Sequence, residues 1–400
     1  MARPRVSIHI DNQADDAYCV FSTFDAVSGE IDILFENDIT YSDLNISLEG
    51  RTTVTITNEF GGQTKADETF LKPQGLVDHK FYSPVYQPKP RSAETHPFTF
   101  IIPKALPPHS CSHSVRDTLV PYAHTELPPS LGIQPSPSRD ERRPDDLSPR
   151  TISITYNIAV SFLLHDTHPP RTVSARRKIC ILPATSSERP PPPFAPSIGP
   201  PDHTLERFNP DMAATPFSAQ ETLRHGVLRK QLGQLSLSAV QPAPLSIHVN
   251  EEGGVYPMLT VHAQFESHHS SPPPVLQRMV TSLRATTFFS IFPWTEIPKN
   301  PAAVRKQTQS GAYVKSVPLG VSELGSVEWE GVIFPKGMAD KRVHEACMQM
   351  PVVLPSDRAL VPTFHSCLVA RSYELRVRVE YRGGLSGNVE VDVPVTVVVG

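Results

Sequence analysis

The sequence predicts an all-β protein: two antiparallel β-sandwiches in tandem, joined by a proline-rich connector. Three observations carry this. First, Tyr373, Leu375, Val377, Val379 and Tyr381 fall on one face of an extended segment, with Glu374, Arg376, Arg378 and Glu380 on the other. Beyond a glycine-rich turn at 382–388, Val389, Val391, Val393, Val395, Val397 and Val399 alternate again, so the end of the chain reads as a hairpin with one buried face. Second, short alternating runs marked off by Gly and Pro recur along the chain, as in a sandwich. Third, proline supplies 43 of 400 residues, about twice the ordinary frequency of roughly 5%. Long amphipathic helical runs are scarce.

Taken in order, the first strand pattern is Val6-Ser7-Ile8-His9-Ile10. Ile31, Ile33 and Phe35 alternate after Gly29, and Leu44, Ile46 and Leu48 alternate up to Gly50, beyond which Val54 and Ile56 resume. Phe98, Phe100 and Ile102 form a strand between Pro97 and Pro103, which are expected to end its pairing. Ile152, Ile154 and Tyr156 lead into Ile158, Val160 and Phe162. The polar, charged, proline-rich segment 135–149 interrupts these patterns and reads as a surface insertion. At about residue 184 the composition changes. The organisation predicted is a first sandwich over 1–184, a linker over 185–212 stiffened by Pro190 to Pro193, and a second sandwich over 213–400.

In the second half Leu223, Val227, Leu228 and Leu232 have near-helical spacing. Leu276, Met279, Val280 and Leu283 stand at i, i+3, i+4 and i+7, which predicts one short amphipathic helix. Strands follow around 286–291, 314–319, 327–332 and 348–354, before the closing hairpin.

Composition excludes several classes of function. Hydrophobic residues at 39% can fill packed cores, and a net charge of −4 gives no reason to expect a nucleic-acid partner. The five cysteines, Cys19, Cys111, Cys180, Cys347 and Cys367, are scattered and form no C-x-x-C pair, so neither a secreted disulfide framework nor a structural zinc site is expected. Residues 6–10 are too short for a signal-peptide core, and no apolar run reaches the ~18–20 residues that span a bilayer. A soluble, cytoplasmic, monomeric protein is expected. Phosphate-loop, nucleophile-elbow and H-E-x-x-H signatures are absent from the sequence, so no catalytic residue and no cofactor are assigned and the expectation is a non-enzyme.

His109, Cys111 and His113 would share a face if extended, with His124 beyond. They follow Pro107-Pro108, however, and are read as ordinary loop residues, so no metal ligand is assigned. Arg171, Arg176, Arg177 and Lys178 form one basic cluster, and Arg224, His225, Arg229 and Lys230 another; both are candidates for binding phosphorylated tails or anionic headgroups at a membrane surface. Ser136-Pro137 and Ser148-Pro149 fit proline-directed phosphorylation.

Several segments together carry a family resemblance. They are Val27-Ser28-Gly29-Glu30-Ile31, Leu44-Asn45-Ile46-Ser47-Leu48-Glu49-Gly50, His96-Pro97-Phe98-Thr99-Phe100-Ile101-Ile102-Pro103 and Leu127-Pro128-Pro129-Ser130-Leu131-Gly132. Val361-Pro362-Thr363-Phe364-His365-Ser366-Cys367, Tyr373-Glu374-Leu375 and Val393-Pro394-Val395 complete the set. In this order they resemble the arrestin-like (α-arrestin-related) proteins, most closely the fungal branch, over nearly the whole chain. The resemblance implies two immunoglobulin-like sandwiches of the arrestin type. It also implies a non-enzymatic adaptor that binds cytoplasmic segments of membrane proteins for endocytosis or sorting, at the plasma membrane or endosomes, and recruits a HECT-type ubiquitin ligase. Such recruitment typically uses Pro-Pro-x-Tyr motifs docked in WW-domain grooves. The sequence has none: Pro191-Pro192-Pro193-Phe194 carries Phe in place of Tyr, and Ser83-Pro84-Val85-Tyr86 lacks the first Pro. Pro191, Pro192, Phe194, Pro84 and Tyr86 are therefore the candidate docking residues. A signalling or retromer-like scaffold without ligase recruitment is the alternative.

Overall fold

The computed structural model describes residues 4–11, 20–36, 40–58, 60–73, 88, 92–132, 145–165, 169–185, 217–225, 230–247, 256–268, 271–332, 342–383 and 385–399. The linker 185–212 lies almost wholly outside them.

The first sandwich has two sheets. One orders β1 (Arg5–Ile10), β3 (Ala26–Phe35) and β6 (Ser92–Ile101) as β1-β3-β6. The other orders β2 (Val20–Phe21), β4 (Tyr41–Thr57), β5 (Gln63–Leu71), β7 (Ile152–Leu164) and β8 (Arg171–Ile181) as β2-β8-β7-β4-β5. The inward faces are the ones the alternation picks out. Ile31, Ile33, Phe35, Leu48, Val54, Ile154, Tyr156 and Ile158 are all fully buried in one core. Burial of each such side chain contributes about 1.5–3 kcal/mol, and the Phe35, Tyr41 and Phe162 rings pack together at centroid separations of 5.3–6.5 Å.

Two punctuation signals behave differently from expectation. Gly50 does not separate two strands but lies inside the 17-residue β4. The register slips by one residue opposite it, and the Phe70 ring occupies the space a Cβ would need, 2.5 Å away. Pro97 does not end a strand either; it sits within β6 opposite Glu30. β6 is an edge strand, where a missing N–H costs no ladder bond.

The second sandwich pairs a sheet of order β15-β16-β12-β10-β9 with one of order β14-β13-β18-β17, in which β19 also pairs β18. Their bounds are β9 Phe217–His225, β10 Lys230–Ala239, β12 Met258–Ser267, β13 Val275–Ser290, β14 Ser310–Glu323, β15 Glu330–Val332, β16 Arg342–Pro351, β17 Phe364–His365, β18 Val369–Gly383 and β19 Leu385–Val395. The predicted helix over 276–283 is part of β13. Its i, i+3 spacing comes from a β-bulge: the register shifts between Leu276 and Arg278, so Leu276 and Met279 face the same core although three residues apart. Leu223 and Leu232 likewise lie on two paired strands, β9 and β10, while Val227 and Leu228 fall outside the described residues.

The closing hairpin forms, with two changes. Its ladder continues through the predicted turn, pairing Arg382 with Ser386 and Gly383 with Leu385. The valine run also divides after Val395: β20 (Val397–Val399) leaves β18 and pairs in parallel with β11 (Leu245–Ile247). On the outer face Arg376 grips Asp392 through Nε–Oδ1 and Nη2–Oδ2 bonds of 2.9 Å each, and Arg284 reaches Asp392 at 2.7 Å. Burial would raise the Asp392 carboxyl, but the bonds from Arg376 and Arg284 win and hold it below the ordinary carboxylate range. A depressed folded pKa contributes stability above the unfolded value of about 3.9 and loses it as pH falls through the folded one. Asp392→Asn should therefore lower the urea midpoint at pH 7 by the equivalent of about 1 kcal/mol or less, given solvent screening, and its deficit against the parent should shrink at pH 3. A deficit independent of pH would show that the pair contributes by shape alone.

The two cores exchange residues. Val361, Phe364, Cys367, Leu368 and Val369, from the second half, pack into the first core, and Leu147, from the first half, packs into the second. This corrects the reading of 135–149 as wholly surface: its described end is part of the junction. Residues 133–144 lie outside the described residues.

Candidate metal centre at the junction

The junction is assembled by side chains that turn polar backbone inward without leaving it unpaired. Asp145 Oδ1 accepts from the Leu147 N–H at 2.9 Å, and Asp146 accepts from the Gly132 N–H at 2.6 Å and the Ser148 N–H at 3.0 Å. This bonding holds Leu147 in the left-handed region, φ 61°, with its side chain fully buried. From the second sandwich Lys315 pairs with Asp145 at 2.6 Å. Arg371, on the inward face of β18 and 0% exposed, donates from Nη1 to the Asp146 carbonyl and from Nε to Thr287 Oγ1, each at 3.0 Å. Sequence reading passed over Arg371. The signal was present: it occupies the inward register of Tyr373 and Leu375, where a charge must be paired.

Beside this clamp, Cys111, His113, His124 and Cys367 bring one ligand atom each to within 4.8 Å of one another. The first sandwich supplies three of them from the connection between β6 and β7. After a short 3-10 turn at Pro108–Ser110 the chain carries Cys111 and His113, and the helix α1 (Val120–His124) presents His124 at its last residue. Cys367 comes from the tight connection between β17 and β18, where the Ser366 hydroxyl and the Val369 backbone bond each other. Cys111 Sγ lies 3.2 Å from His113 Nε2 and 3.6 Å from His124 Nδ1, and those two nitrogens are 3.2 Å apart. His113 Nδ1 is 3.2 Å from the Ser114 carbonyl, an acceptor that in the neutral ring selects the tautomer with its proton on Nδ1 and Nε2 free to ligate. Burial pushes the Cys111 and Cys367 thiols up, and burial with the neighbouring His113 and His365 rings lowers His124 to about 4. Burial thus favours the uncharged forms of Cys111, Cys367 and His124.

The sequence singled out His109, Cys111, His113 and His124 and assigned none of them to a metal. The structure separates His109 from the group and adds Cys367. No local spacing could have supplied Cys367, which joins the cluster only because 361–369 enters the first core.

The other candidate residues fare differently. Arg171, Arg176, Arg177 and Lys178 lie on β8, whose pleat sends alternate residues to opposite faces. Arg177 donates to the Ile8 carbonyl at 3.0 Å, and Arg176 pairs with Glu49 at 3.2 Å. They do not form one patch. Arg224 is exposed on β9; Arg229 lies outside the described residues, and of Lys230 only the backbone, in β10, is described. Pro191, Pro192, Phe194, Pro84 and Tyr86 lie outside the described residues, as does Ser136. Ser148 is half-buried and bonds Asp146 through its hydroxyl. Among the described residues no helix is long and apolar enough to cross a membrane.

The matching part of the chain is its end. Residues 345–399 match the family described as the Bul1 C terminus, which is arrestin-related. The match spans most of β16 and all of β17, β18, β19 and β20, and so contains Cys367, Arg371 and the segment that enters the first core. No curated protein matches the chain.

Proposed function

We propose that this protein is a non-enzymatic, cytoplasmic adaptor of the fungal arrestin-related type, which binds cytoplasmic segments of membrane proteins and brings them to a HECT-type ubiquitin ligase for endocytosis or sorting. The observation that carries this reading is the similarity of 345–399 to the Bul1 C terminus, set within an all-β architecture of paired antiparallel sheets. Fold alone would be a weak warrant, because sandwiches host many functions. The family match supports the adaptor reading beyond what the fold does.

A specific observation favours a second reading. Within these 400 residues no Pro-Pro-x-Tyr occurs, and its nearest counterpart ends in Phe194. Phe keeps the ring that a WW groove accepts and loses the hydroxyl, so binding through it should be weaker than through Tyr. A scaffold for sorting or signalling without ligase recruitment would need no such contact. Binding of the full chain to an array of WW domains separates the two. The adaptor reading expects binding that Phe194→Ala abolishes and Phe194→Tyr strengthens. Absence of binding by both the parent and the Tyr variant would favour the scaffold.

A further inference from the structure

We propose that Cys111, His113, His124 and Cys367 bind one zinc ion in a closed tetrahedral site that staples the two sandwiches together at their seam.

The geometry fits the ion. Zinc–sulfur bonds of about 2.3 Å and zinc–nitrogen bonds of about 2.0–2.1 Å make a tetrahedron with edges of roughly 3.3 Å for N···N, 3.6 Å for S···N and 3.8 Å for S···S. The observed edges are 3.2 Å for His113 Nε2 to His124 Nδ1, and 3.2 and 3.6 Å from Cys111 Sγ to the two nitrogens. The fourth ligand atom, on Cys367, lies within 4.8 Å of all the others. Two sulfurs with two imidazoles is a donor set that suits zinc over the hard cations, which prefer oxygen.

Proton counting separates this from an ordinary hydrogen-bonded cluster. In the neutral tautomer that the Ser114 carbonyl selects, His113 carries its proton on Nδ1 and Nε2 has none to give. Cys111 and His124 Nδ1 then hold at most two protons for three mutual contacts. A cation at the centre satisfies all three, and Cys367 as well. Binding forms two Zn–S and two Zn–N bonds and releases the two thiol protons to solvent. The result, Zn²⁺ with two thiolates and two neutral imidazoles, carries no net charge, which suits a site whose His124 and Cys367 are buried. Cys111 and His113 remain half-exposed and offer a route in.

The consequence is mechanical. Three ligands belong to the connection between β6 and β7, and the fourth to the turn between β17 and β18. Losing the ion would free that turn, and with it the seating of Phe364 and Leu368 in the first core.

The test uses the full chain, purified without a polyhistidine tag under reducing conditions, with zinc as the probe. Elemental analysis should find about one zinc per chain. Cys111→Ser and Cys367→Ser should each weaken zinc binding at least about tenfold, whereas His109→Ala and Cys347→Ser should retain it. Cobalt exchanged into the parent chain should give the visible d–d bands of a tetrahedral ion together with thiolate-to-cobalt charge transfer, a readout that does not depend on any variant folding. A folded, reduced parent chain that neither carries zinc nor takes up cobalt would overturn the proposal, as would zinc that survives both cysteine substitutions or a Cys111–Cys367 disulfide in the chain as isolated from cells. Zinc binding stands or falls independently of ligase recruitment.

Discussion

Arg371→Ala is expected to destabilise the protein by about 3–5 kcal/mol, the range for truncating a large, fully buried side chain. Arg371 is among the largest fully buried side chains, and its guanidinium holds the Asp146 carbonyl, Thr287 Oγ1 and, at 3.4 Å, the Tyr373 hydroxyl. The Tyr373 hydroxyl in turn donates to the Val361 carbonyl at 2.7 Å. Truncation thus leaves a cavity and deprives acceptors on both sides of the seam. Arg371→Met keeps most of the volume without the charge and should cost less. Arg371→Lys should resemble Ala more than Met, since one ammonium cannot reproduce the planar fork. Urea midpoints at an unchanged m-value decide the matter. An Ala variant within about 0.5 kcal/mol of the parent, the range of ordinary surface changes, would mean that the residue is not a clamp.

The second large effect is expected at Leu147. Taken as part of a charged surface loop, Leu147→Ala should cost under about 0.5 kcal/mol. Packed fully buried in the second core, it should cost about 2–5 kcal/mol. Leu147→Met, which conserves volume, should recover most of that loss. Because the side chain comes from one half of the chain and its core from the other, the loss should also loosen the junction. Proteolysis in mild denaturant should then cut the Ala variant near 145–149 faster than the parent. Equal rates would place Leu147 outside the cooperative unit.

These two residues also mark where the sequence stopped being legible. Strands whose inner faces are continuous could be read directly: Ile152 to Leu164 and Tyr373 to Tyr381 alternate because each packs one face on a core. Reading failed where tertiary packing rewrites a local rule. A bulge at Gln277 gave β13 a helical spacing, and the Phe70 ring over Gly50 turned a strand breaker into a strand residue. At 145–148 two aspartates that signal solvent instead bond backbone N–H groups and turn a leucine inward. The cluster at the seam was half legible. Cys111, His113 and His124 lie within one stretch, but Cys367 is brought in by the exchange of core residues, which no spacing rule reports.

The adaptor reading places the chain's purpose in its partners, and proximity labelling with the full chain in its native cell tests that most directly. The account predicts enrichment of plasma-membrane or endosomal membrane proteins together with a HECT-type ligase, with the ligase signal reduced by Phe194→Ala. Labelling that recovers neither, under conditions in which another arrestin-related adaptor labels its own cargo and ligase, would contradict it.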